Sequence, residues 1–249
     1  MGKGWNLMKY KVSIGTKIKD IEEGSGILVL EPDDYSPEEI QAIRKKGYKV
    51  LGYLSVGTLE EYRPWFKEYS KYKFEKLEDW PDEYYVDVRK SKWRKFLAKR
   101  AKAIRDKGFD GWWCDNIDVY TEHKSKAMFT AIASVFQKLK DIKGYVMING
   151  GSEWVDDAID RGEPLKKYIN GYTQEEVFSR VISYSGKGKF GKQNPDDSKF
   201  YRKLLKKTVK KGTSGFMLEY TRDEKLKERI REWGKENKVS YYIAENVKL

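Results

Sequence analysis

The chain has 249 residues, of which 51 are Lys or Arg, 39 are Asp or Glu and one is His, so its formal net charge is +12 at pH 7. This length suits one domain, and 8 Trp, 18 Tyr and 10 Phe supply large apolar side chains that a disordered chain lacks. One Cys excludes a disulfide framework and Cys-based metal clusters, and one His excludes His-rich metal centres. We therefore expect chemistry carried by carboxylates, with no cofactor and no metal.

The apolar runs are short. The longest have four or five residues, as in Ile27–Leu30, whereas a membrane-spanning helix needs about 20. We therefore expect no membrane segment. The first residues lack the apolar stretch of a secretory signal, but a cleaved signal leaves no trace, so localisation has to be inferred from function.

Regular alternation of apolar and amphipathic segments predicts the secondary structure. Apolar runs rich in β-branched and aromatic residues predict eight strands, which are Ile27–Leu30, Val50–Val56, Tyr84–Val88, Gly111–Ile117, Tyr145–Ile148, Tyr168–Phe178, Gly215–Tyr220 and Val239–Ala244. Helical periodicity predicts Pro37–Lys46, Lys92–Lys107, Lys126–Asp141, Trp154–Asp160, Ser198–Lys211 and Asp223–Asn237. Four of these helices are closed by a nearby glycine before the next strand, as expected of βα units.

Eight βα units in about 250 residues match the usual size of a (β/α)8 barrel. A doubly wound sheet would carry a glycine-rich phosphate loop after its first strand, but here that strand runs into residues 31–35, which include acids and no glycine. We therefore predict an α/β protein with a single (β/α)8 TIM barrel over residues 26–249. Residues 1–25 are predicted to form an N-terminal extension that packs on the barrel.

Two predicted connections are long. Residues 57–83 contain seven aromatic side chains among charged ones, and residues 183–197 form a stretch rich in Gly and Lys without periodicity. Both follow predicted strands, so we expect both at the C-terminal face of the barrel, where active sites of this fold are built.

Acidic side chains are concentrated at two predicted strand ends. The segment GFDGWWCDNIDVY delivers Asp115, Asn116 and Asp118 within four residues, and Glu175 and Glu176 close the sixth predicted strand. Each acid is compatible with helix capping or with pairing to Lys or Arg, but two clusters on two strands favour a site. Because adjacent residues of a strand face opposite sides, only one of the two glutamates is expected in the barrel mouth.

Five segments resemble, in order and spacing, glycoside hydrolase family 114, the endo-α-1,4-polygalactosaminidase-like (β/α)8 proteins. The segments are YLSVGTLEEYRPWF, YYVDVRKSKWRKFLAKRAKAIRDKGFDGWWCDNIDVY, MING, INGYTQEEVF and GFMLEYT. The resemblance extends over about residues 25–245. It implies an endo-acting glycosidase that cleaves α-1,4-linked galactosamine or N-acetylgalactosamine polysaccharide with an acidic pair from the fourth and sixth strands.

By position, the acidic pair of the family falls on Asp115 and Glu175. The adjacent Glu176 leaves the second assignment open, with Glu175 preferred. One carboxyl group must protonate the leaving oxygen while a second attacks or activates water. We assign Asp115 as nucleophile and Glu175 as general acid/base of a retaining mechanism. Asp115 must stay ionised, which Asn116 and donors such as Arg63 or Arg89 would favour, and Glu175 needs a raised pKa, which aromatic burial would favour.

Polar and aromatic residues near the predicted strand ends are candidates for holding sugar, because sugars present hydroxyls on their edges and C–H groups on their faces. Each is also compatible with a structural role. The candidates are Asp33, Tyr53, Ser55, Arg63, Asp87, Arg89, Asn116, Asp118, Tyr120, Asn149, Glu219 and Tyr220. His123 and Cys114 are expected to be structural, since neither has a partner in a recognisable catalytic device.

Three other functions fit parts of the sequence. A charge of +12 suggests nucleic-acid binding, but no such signature is present and basic helices are usually solvated outer faces, so we expect no nucleic acid. A barrel that binds polysaccharide without cleaving it is disfavoured by the presence of both acids. A metal-dependent hydrolase would use Asp115, Asn116 and Asp118 as oxygen ligands, and a sequence cannot show whether such ligands converge.

The expected partner is a polysaccharide substrate, and we expect a monomer in a secreted or cell-surface location. A deacetylated galactosamine polymer is cationic and would be repelled by a protein of charge +12 unless the cleft is locally acidic. Acids at the predicted strand ends would make it so, namely Asp33, Asp34, Asp87, Asp115, Asp118, Glu175 and Glu219. The acetylation state of the substrate stays open.

Overall fold

The structure of the chain is a computed structural model that describes residues 7–247. In chain order its strands are β1 (Tyr10–Val12), β2 (Gly26–Leu30), β3 (Tyr48–Ser55), β4 (Thr58–Glu60), β5 (Lys73–Lys76), β6 (Glu83–Val86), β7 (Gly111–Asp115), β8 (Tyr145–Asn149), β9 (Gly171–Glu175), β10 (Ser179–Ser183), β11 (Lys189–Lys192), β12 (Ser214–Tyr220) and β13 (Val239–Ala244). Its α-helices are α1 (Pro37–Lys45), α2 (Phe66–Tyr69), α3 (Ser91–Asp106), α4 (Val119–Glu122), α5 (Lys126–Asp141), α6 (Ser152–Asp160), α7 (Pro195–Lys210) and α8 (Glu224–Asn237).

Eight of the strands form one parallel sheet in the order β1-β2-β3-β7-β8-β9-β12-β13. The two outer strands of this order, β1 and β13, lie side by side, and the rings of Tyr10 and Tyr242 meet there with centroids 6.2 Å apart. The sheet therefore curls into a nearly closed barrel. From β2 onward, α-helices connect successive barrel strands and cover the outside, whereas β1 and β2 are joined by a segment with a short 3-10 turn. This arrangement confirms the predicted (β/α)8 architecture.

One of the predicted barrel strands is wrong. The predicted third strand, Tyr84–Val88, overlaps β6, which lies outside the barrel in an antiparallel sheet of order β4-β6-β5. The missing barrel strand is β1, where Tyr10 pairs in parallel with Ile27 of β2. Strand pairing accounts for the difference, because β6 pairs antiparallel with β4 and β5, whereas β1 pairs in parallel with β2.

The same observation corrects the predicted extension. A boundary after residue 25 separates β1 from β2, which are neighbouring strands of one sheet, so the segment before residue 26 supplies part of the barrel instead of only packing on it. Residues 1–6 of that segment lie outside the described residues. Relative to the predicted barrel, the observed one lacks β6 and includes β1, and both precede β7 in the chain. β7 and β9 are therefore still the fourth and sixth strands of the barrel.

Side-chain alternation along the strands divides the core into two parts. Trp113 of β7 packs inside the barrel with Met147 and Phe216, whereas Trp112 packs between the barrel and the helices. The indole N–H of Trp112 donates to the backbone oxygen of Ala101 in α3, 3.0 Å away, so this buried polar group is satisfied. Because successive side chains of the GWWCD segment point to opposite faces, β7 is packed on both of its faces.

Local signals start α1 and α5 where the sequence predicts, whereas α6 and α7 begin two and three residues before their predicted starts. Ser36 and Glu39 form a reciprocal capping box at the start of α1, and Pro37 occupies its first turn. The Ser125 hydroxyl accepts a hydrogen bond from the backbone N–H of Met128 at the start of α5. Among the described residues, no helix combines the length and the apolar character that crossing a bilayer requires.

Candidate active site

The carboxyl ends of the barrel strands surround a pocket of about 950 Å³. Its wall includes residues at or near the ends of five barrel strands, which are Tyr53 on β3, Asp115 on β7, Asn149 on β8, Glu175 on β9 and Tyr220 on β12. A wide concave site at this end of a (β/α)8 barrel is where the fold places ligands.

One side-chain amide joins the two carboxyl groups of the predicted pair. The Nδ2 atom of Asn149 donates to Oδ1 of Asp115 at 2.9 Å and to Oε1 of Glu175 at 2.5 Å. These two distances together limit the separation of the two carboxylate oxygens to at most about 5.4 Å. On the opposite side of Glu175, the Tyr220 hydroxyl donates to Oε2 at 2.7 Å, so both oxygens of this carboxylate are held.

The pKa of each carboxyl group is raised to about 7, with burial as the largest cause. The negative charge of Glu175 contributes to the rise at Asp115, while hydrogen bonds from Asn149 offset part of the rise in both groups and the one from Tyr220 offsets part of it in Glu175. Two such close carboxyls do not both ionise readily. Burial and mutual repulsion thus favour a state with one proton on the pair, in which one group can act as an acid and the other as a nucleophile or base.

The donors that act on Asp115 agree only in part with those predicted, because the backbone N–H of Asn116 lowers the pKa of Asp115 as expected but the two arginines pair elsewhere. The guanidinium of Arg63 forms ion pairs with Glu31 at 2.9 Å and with Asp33 and Glu60 at 3.3 Å each. The Arg89 guanidinium pairs with its own neighbour Asp87 at 2.7 Å. The expectation that one of these arginines keeps Asp115 ionised is therefore wrong, and the amide of Asn149 contacts that carboxylate instead.

A left-handed residue follows each member of the pair. Asn116 after Asp115 has a φ of 62°, and Glu176 after Glu175 has a φ of 57°. This left-handed turn interrupts the alternation of side chains along the strand. Asp115 and Asn116 therefore both line the pocket, and so do Glu175 and Glu176. The expectation that only one of the two glutamates enters the barrel mouth is thus wrong, because it assumed that the extended strand continues through Glu176.

The side chain of Asn116 fastens the end of β7 to neighbouring elements. Its Nδ2 atom donates to the hydroxyl oxygens of Thr58 at 2.7 Å, Ser55 at 3.2 Å and Tyr53 at 3.3 Å. Next along the chain, the Asp118 carboxylate accepts a hydrogen bond of 3.0 Å from the backbone N–H of Gly151 and also lines the pocket. The chain after Asp115 is therefore held on two sides.

The structure brings eight of the predicted site residues to the pocket wall. They are Tyr53, Arg63, Asp115, Asn116, Asp118, Asn149, Glu175 and Tyr220. The other six lie elsewhere. Ser55 stands behind the wall in the Asn116 network, Asp33 pairs with Arg63 and Arg100, and Asp87 and Arg89 pair with one another.

Two of the residues outside the pocket have clear structural roles. Glu219 is 0% exposed, and its carboxylate accepts hydrogen bonds from the backbone N–H groups of Phe178 and Ser179 and from the Ser179 hydroxyl at 2.6 Å. It therefore fixes the chain that leaves β9. Tyr120 is buried between α4 and α6, where its hydroxyl donates to Asp157 at 2.5 Å. Neither side chain faces the pocket.

Sequence reasoning missed several lining residues. Glu31 directly follows β2, a position that signals a site residue in a barrel, but its neighbours Asp33 and Asp34 were predicted instead. Glu83 and Trp80 reach the pocket from the excursion between β3 and α3, and Tyr184 reaches it from the β10–β11 hairpin. The long loops were predicted at this face, but no periodicity indicates which of their side chains turn inward.

The pocket wall is acidic although the protein is basic. Arg63 is the one Lys or Arg among its described lining residues. The acids of the wall are Glu31, Glu83, Asp115, Asp118, Glu175 and Glu176. Local and overall charge are thus opposite in sign, as a site for a cationic ligand requires. No group of three or more His, Cys, Asp or Glu residues within the described part of the chain is arranged to hold a metal ion.

Two curated relatives, both called uncharacterized, match the chain. The one from Thermotoga maritima is 28% identical over 165 residues, and MJ1477 from Methanocaldococcus jannaschii is 24% identical over 164 residues. Each match covers 59% of this chain, and the matches cover 50% and 47% of the relatives. The chain thus spans about half the length of the curated relatives it matches.

Two solved structures and a family profile also match the chain. The glycoside hydrolase domain of PelA from Pseudomonas aeruginosa aligns with a TM-score of 0.78 at 15% identity, covering 97% of this chain and 96% of that one. Aspergillus fumigatus Ega3, solved in complex with galactosamine, aligns with a TM-score of 0.73 at 16% identity, covering 98% and 92%. Both have the same fold as this chain. Residues 3–246 match the profile of glycoside hydrolase family GH114, which confirms the resemblance seen in the motifs, and the chain belongs to that family.

Proposed function

We propose that the protein is a retaining endo-glycosidase that cleaves α-1,4-linked galactosamine polymers, with Asp115 as nucleophile and Glu175 as general acid/base. The observation that carries the proposal is the shared hydrogen-bond donor, Asn149, which keeps oxygens of the two carboxyls within about 5.4 Å. Retaining glycosidases have carboxyl groups about 5 to 5.5 Å apart, whereas inverting enzymes leave about 6.5 to 9.5 Å for a water molecule. An upper limit of about 5.4 Å on one pair of oxygens is compatible with the separation in a retaining pair, and we propose retention on that basis.

In the first step, Glu175 gives its proton to the glycosidic oxygen while a carboxylate oxygen of Asp115 attacks the anomeric carbon. The bond to the leaving sugar breaks, and a glycosyl ester of Asp115 forms. In the second step, Glu175 takes a proton from a water molecule, whose oxygen attacks the same carbon and releases Asp115. Tyr220 and Asn149 hold Glu175 by its two oxygens throughout, so that its proton is delivered from a fixed position.

The acidic wall supports an amino sugar as the substrate unit, since its six acids face one arginine. Aromatic side chains at the pocket support a polymer. Trp80 and Tyr184 are 48% and 39% exposed, and their ring centroids lie 5.3 Å apart, although they come from two separate excursions. Exposed rings of this kind pack against the C–H faces of sugars, so units beyond the cleaved bond have a binding surface and internal bonds are accessible. For such a polymer we propose a secreted or cell-surface location.

A panel of α-1,4-linked oligomers of galactosamine, N-acetylgalactosamine and a neutral sugar tests this function, with products measured by mass spectrometry. We expect cleavage of the amino-sugar oligomers, products of two or more units from the first time points, and an unchanged rate in EDTA. Monosaccharide alone at the first time points contradicts endo action. Binding without products favours the non-catalytic barrel, and activity that EDTA removes and a divalent ion restores favours the metal-dependent one.

A further inference from the structure

Glu176 has an unusual backbone conformation. Four non-glycine residues of the described chain have a positive φ, namely Asn116, Lys143, Glu176 and Lys238. Lys143 and Lys238 follow the helices α5 and α8, where a left-handed residue commonly closes a helix. Asn adopts this conformation more readily than other residues. Glu176 follows a strand and has neither explanation, and such outliers are often found at functional sites.

The backbone contacts of Glu176 do not require a glutamate. Its N–H donates to the backbone oxygen of Leu218 at 2.9 Å, and its C=O accepts a hydrogen bond of 2.8 Å from Nε2 of Gln193. A glycine would make both contacts and would adopt the left-handed conformation without strain. What the glutamate adds is therefore its side chain, which lines the pocket next to Glu175, together with Gln193, Tyr184 and Tyr201.

Among the described residues, the carboxylate of Glu176 forms no ion pair, although the charge of the nearby Arg180 acts on it. The side chain is half-buried, yet no ion pair within 4.0 Å in residues 7–247 involves it. The pKa of Glu176 is raised to about 6, mainly by burial and also by the charge of Asp79, while the backbone N–H of Val181 and the exposed Arg180 lower it. A half-buried carboxylate in a ligand pocket is stabilised when a cation binds beside it.

We propose that Glu176 is a specificity-determining residue that binds the ammonium group of a galactosamine unit next to the cleaved bond. The inference rests on the proposed function for the substrate class. It assigns separate tasks to the two adjacent glutamates, with proton transfer at Glu175 and recognition of the amine at Glu176. The left-handed turn is what allows both side chains to reach one pocket from consecutive positions.

Two substitutions at this position separate the side chain from the backbone. Glu176→Gln keeps the shape and removes the charge, and Glu176→Gly removes the side chain and relieves the left-handed conformation. Lys143→Gly is the matched control, because it relieves a φ of 64° at an exposed site before β8, at the opposite end of that strand from Asn149. We expect Glu176→Gly and Lys143→Gly to leave Tm unchanged or to raise it by up to about 3 °C.

Binding of galactosamine and N-acetylgalactosamine tetrasaccharides is measured by calorimetry in an Asp115→Asn background, and cleavage is measured in the otherwise unchanged chain. For the deacetylated oligomer, we expect both Glu176 variants to weaken binding and to lower kcat/KM by about 10- to 100-fold, the size of a charge-assisted hydrogen bond. For the acetylated oligomer, we expect changes below about 3-fold. Lys143→Gly should bind and cleave both oligomers as the unchanged chain does.

Equal losses on the two oligomers, or no loss in either Glu176 variant, would overturn the role of Glu176. Absence of binding to the deacetylated oligomer in the Asp115→Asn background would overturn it as well. Selective binding without cleavage in the otherwise unchanged chain would refute the proposed hydrolysis and leave amine recognition by Glu176 supported. The failure of one proposal is thus distinguishable from the failure of the other.

Discussion

Glu175→Gln is expected to lower kcat on a galactosamine polymer by about 10²- to 10⁴-fold, because the leaving oxygen loses its proton donor. Asp115→Asn is expected to lower kcat by roughly 10⁴-fold or more, because no other carboxylate would form the covalent intermediate. Each amide keeps the shape of the acid it replaces, so the fold should persist. Steady-state kinetics measures the losses, with Tm as the check on folding.

A substrate with a good leaving group distinguishes the two roles. An aryl glycoside whose phenolate leaves without protonation should restore much of the first step in Glu175→Gln and none of it in Asp115→Asn. Glu232→Gln and Asp141→Asn make the same chemical changes at exposed helical positions and should leave turnover unaltered. Full activity of Glu175→Gln on the polymer, with loss of activity in Glu176→Gln, would transfer the acid role to Glu176.

Asn149→Ala is expected to move both limbs of the pH–rate profile to higher pH and to lower kcat by about 10- to 100-fold. The amide of Asn149 donates to both carboxylates and thereby stabilises their ionised forms, which lowers both pKa values. Without it the pKa of Asp115 and that of Glu175 rise above about 7, so deprotonation of the pair requires a higher pH. The loss of rate follows from poorer positioning of the two groups.

The control for this variant is Asn237→Ala, which removes a hydrogen bond of 2.8 Å to the backbone of Trp233 at the end of α8. It should leave the pH profile of kcat unchanged. A profile of Asn149→Ala that stays in place, or that moves to lower pH, would show that the shared hydrogen bond does not set the ionisation of the pair.

The helices and most strands of this fold could be predicted because their signals are local. Lys126–Asp141 and Val239–Ala244 were predicted with the bounds that the structure has, through helical periodicity in the first and an apolar β-branched run in the second. The exchange of β1 for β6 could not be foreseen, since Tyr10–Val12 is short and becomes a barrel strand only through pairing with β2. That pairing depends on contacts between segments, which local periodicity does not show.

The residues of the candidate site also divide into those that local signals predict and those that depend on contacts between segments. Asn149 and Tyr220 were predicted because they end barrel strands, and strand ends converge. Asp115 and Glu175 also lie at strand ends, but the choice of Glu175 over Glu176 came from the resemblance to the family. The same reasoning also selected Glu219, but the chain after β9 turns back onto this carboxylate and occupies it with backbone N–H groups. The left-handed turns after the acids cannot be seen in a residue pattern that assumes extended strands.

The most direct test of the mechanism is mass spectrometry of the protein after reaction with 5-fluoro-α-galactosaminyl fluoride, whose fluorine at C5 slows both steps and whose leaving fluoride favours the first. We expect one glycosyl unit to be attached to the peptide that contains Asp115, and no attachment in Asp115→Asn. Attachment to Glu175, or cleavage of the polymer with inverted products and no attachment anywhere, would contradict a retaining mechanism with Asp115 as its nucleophile.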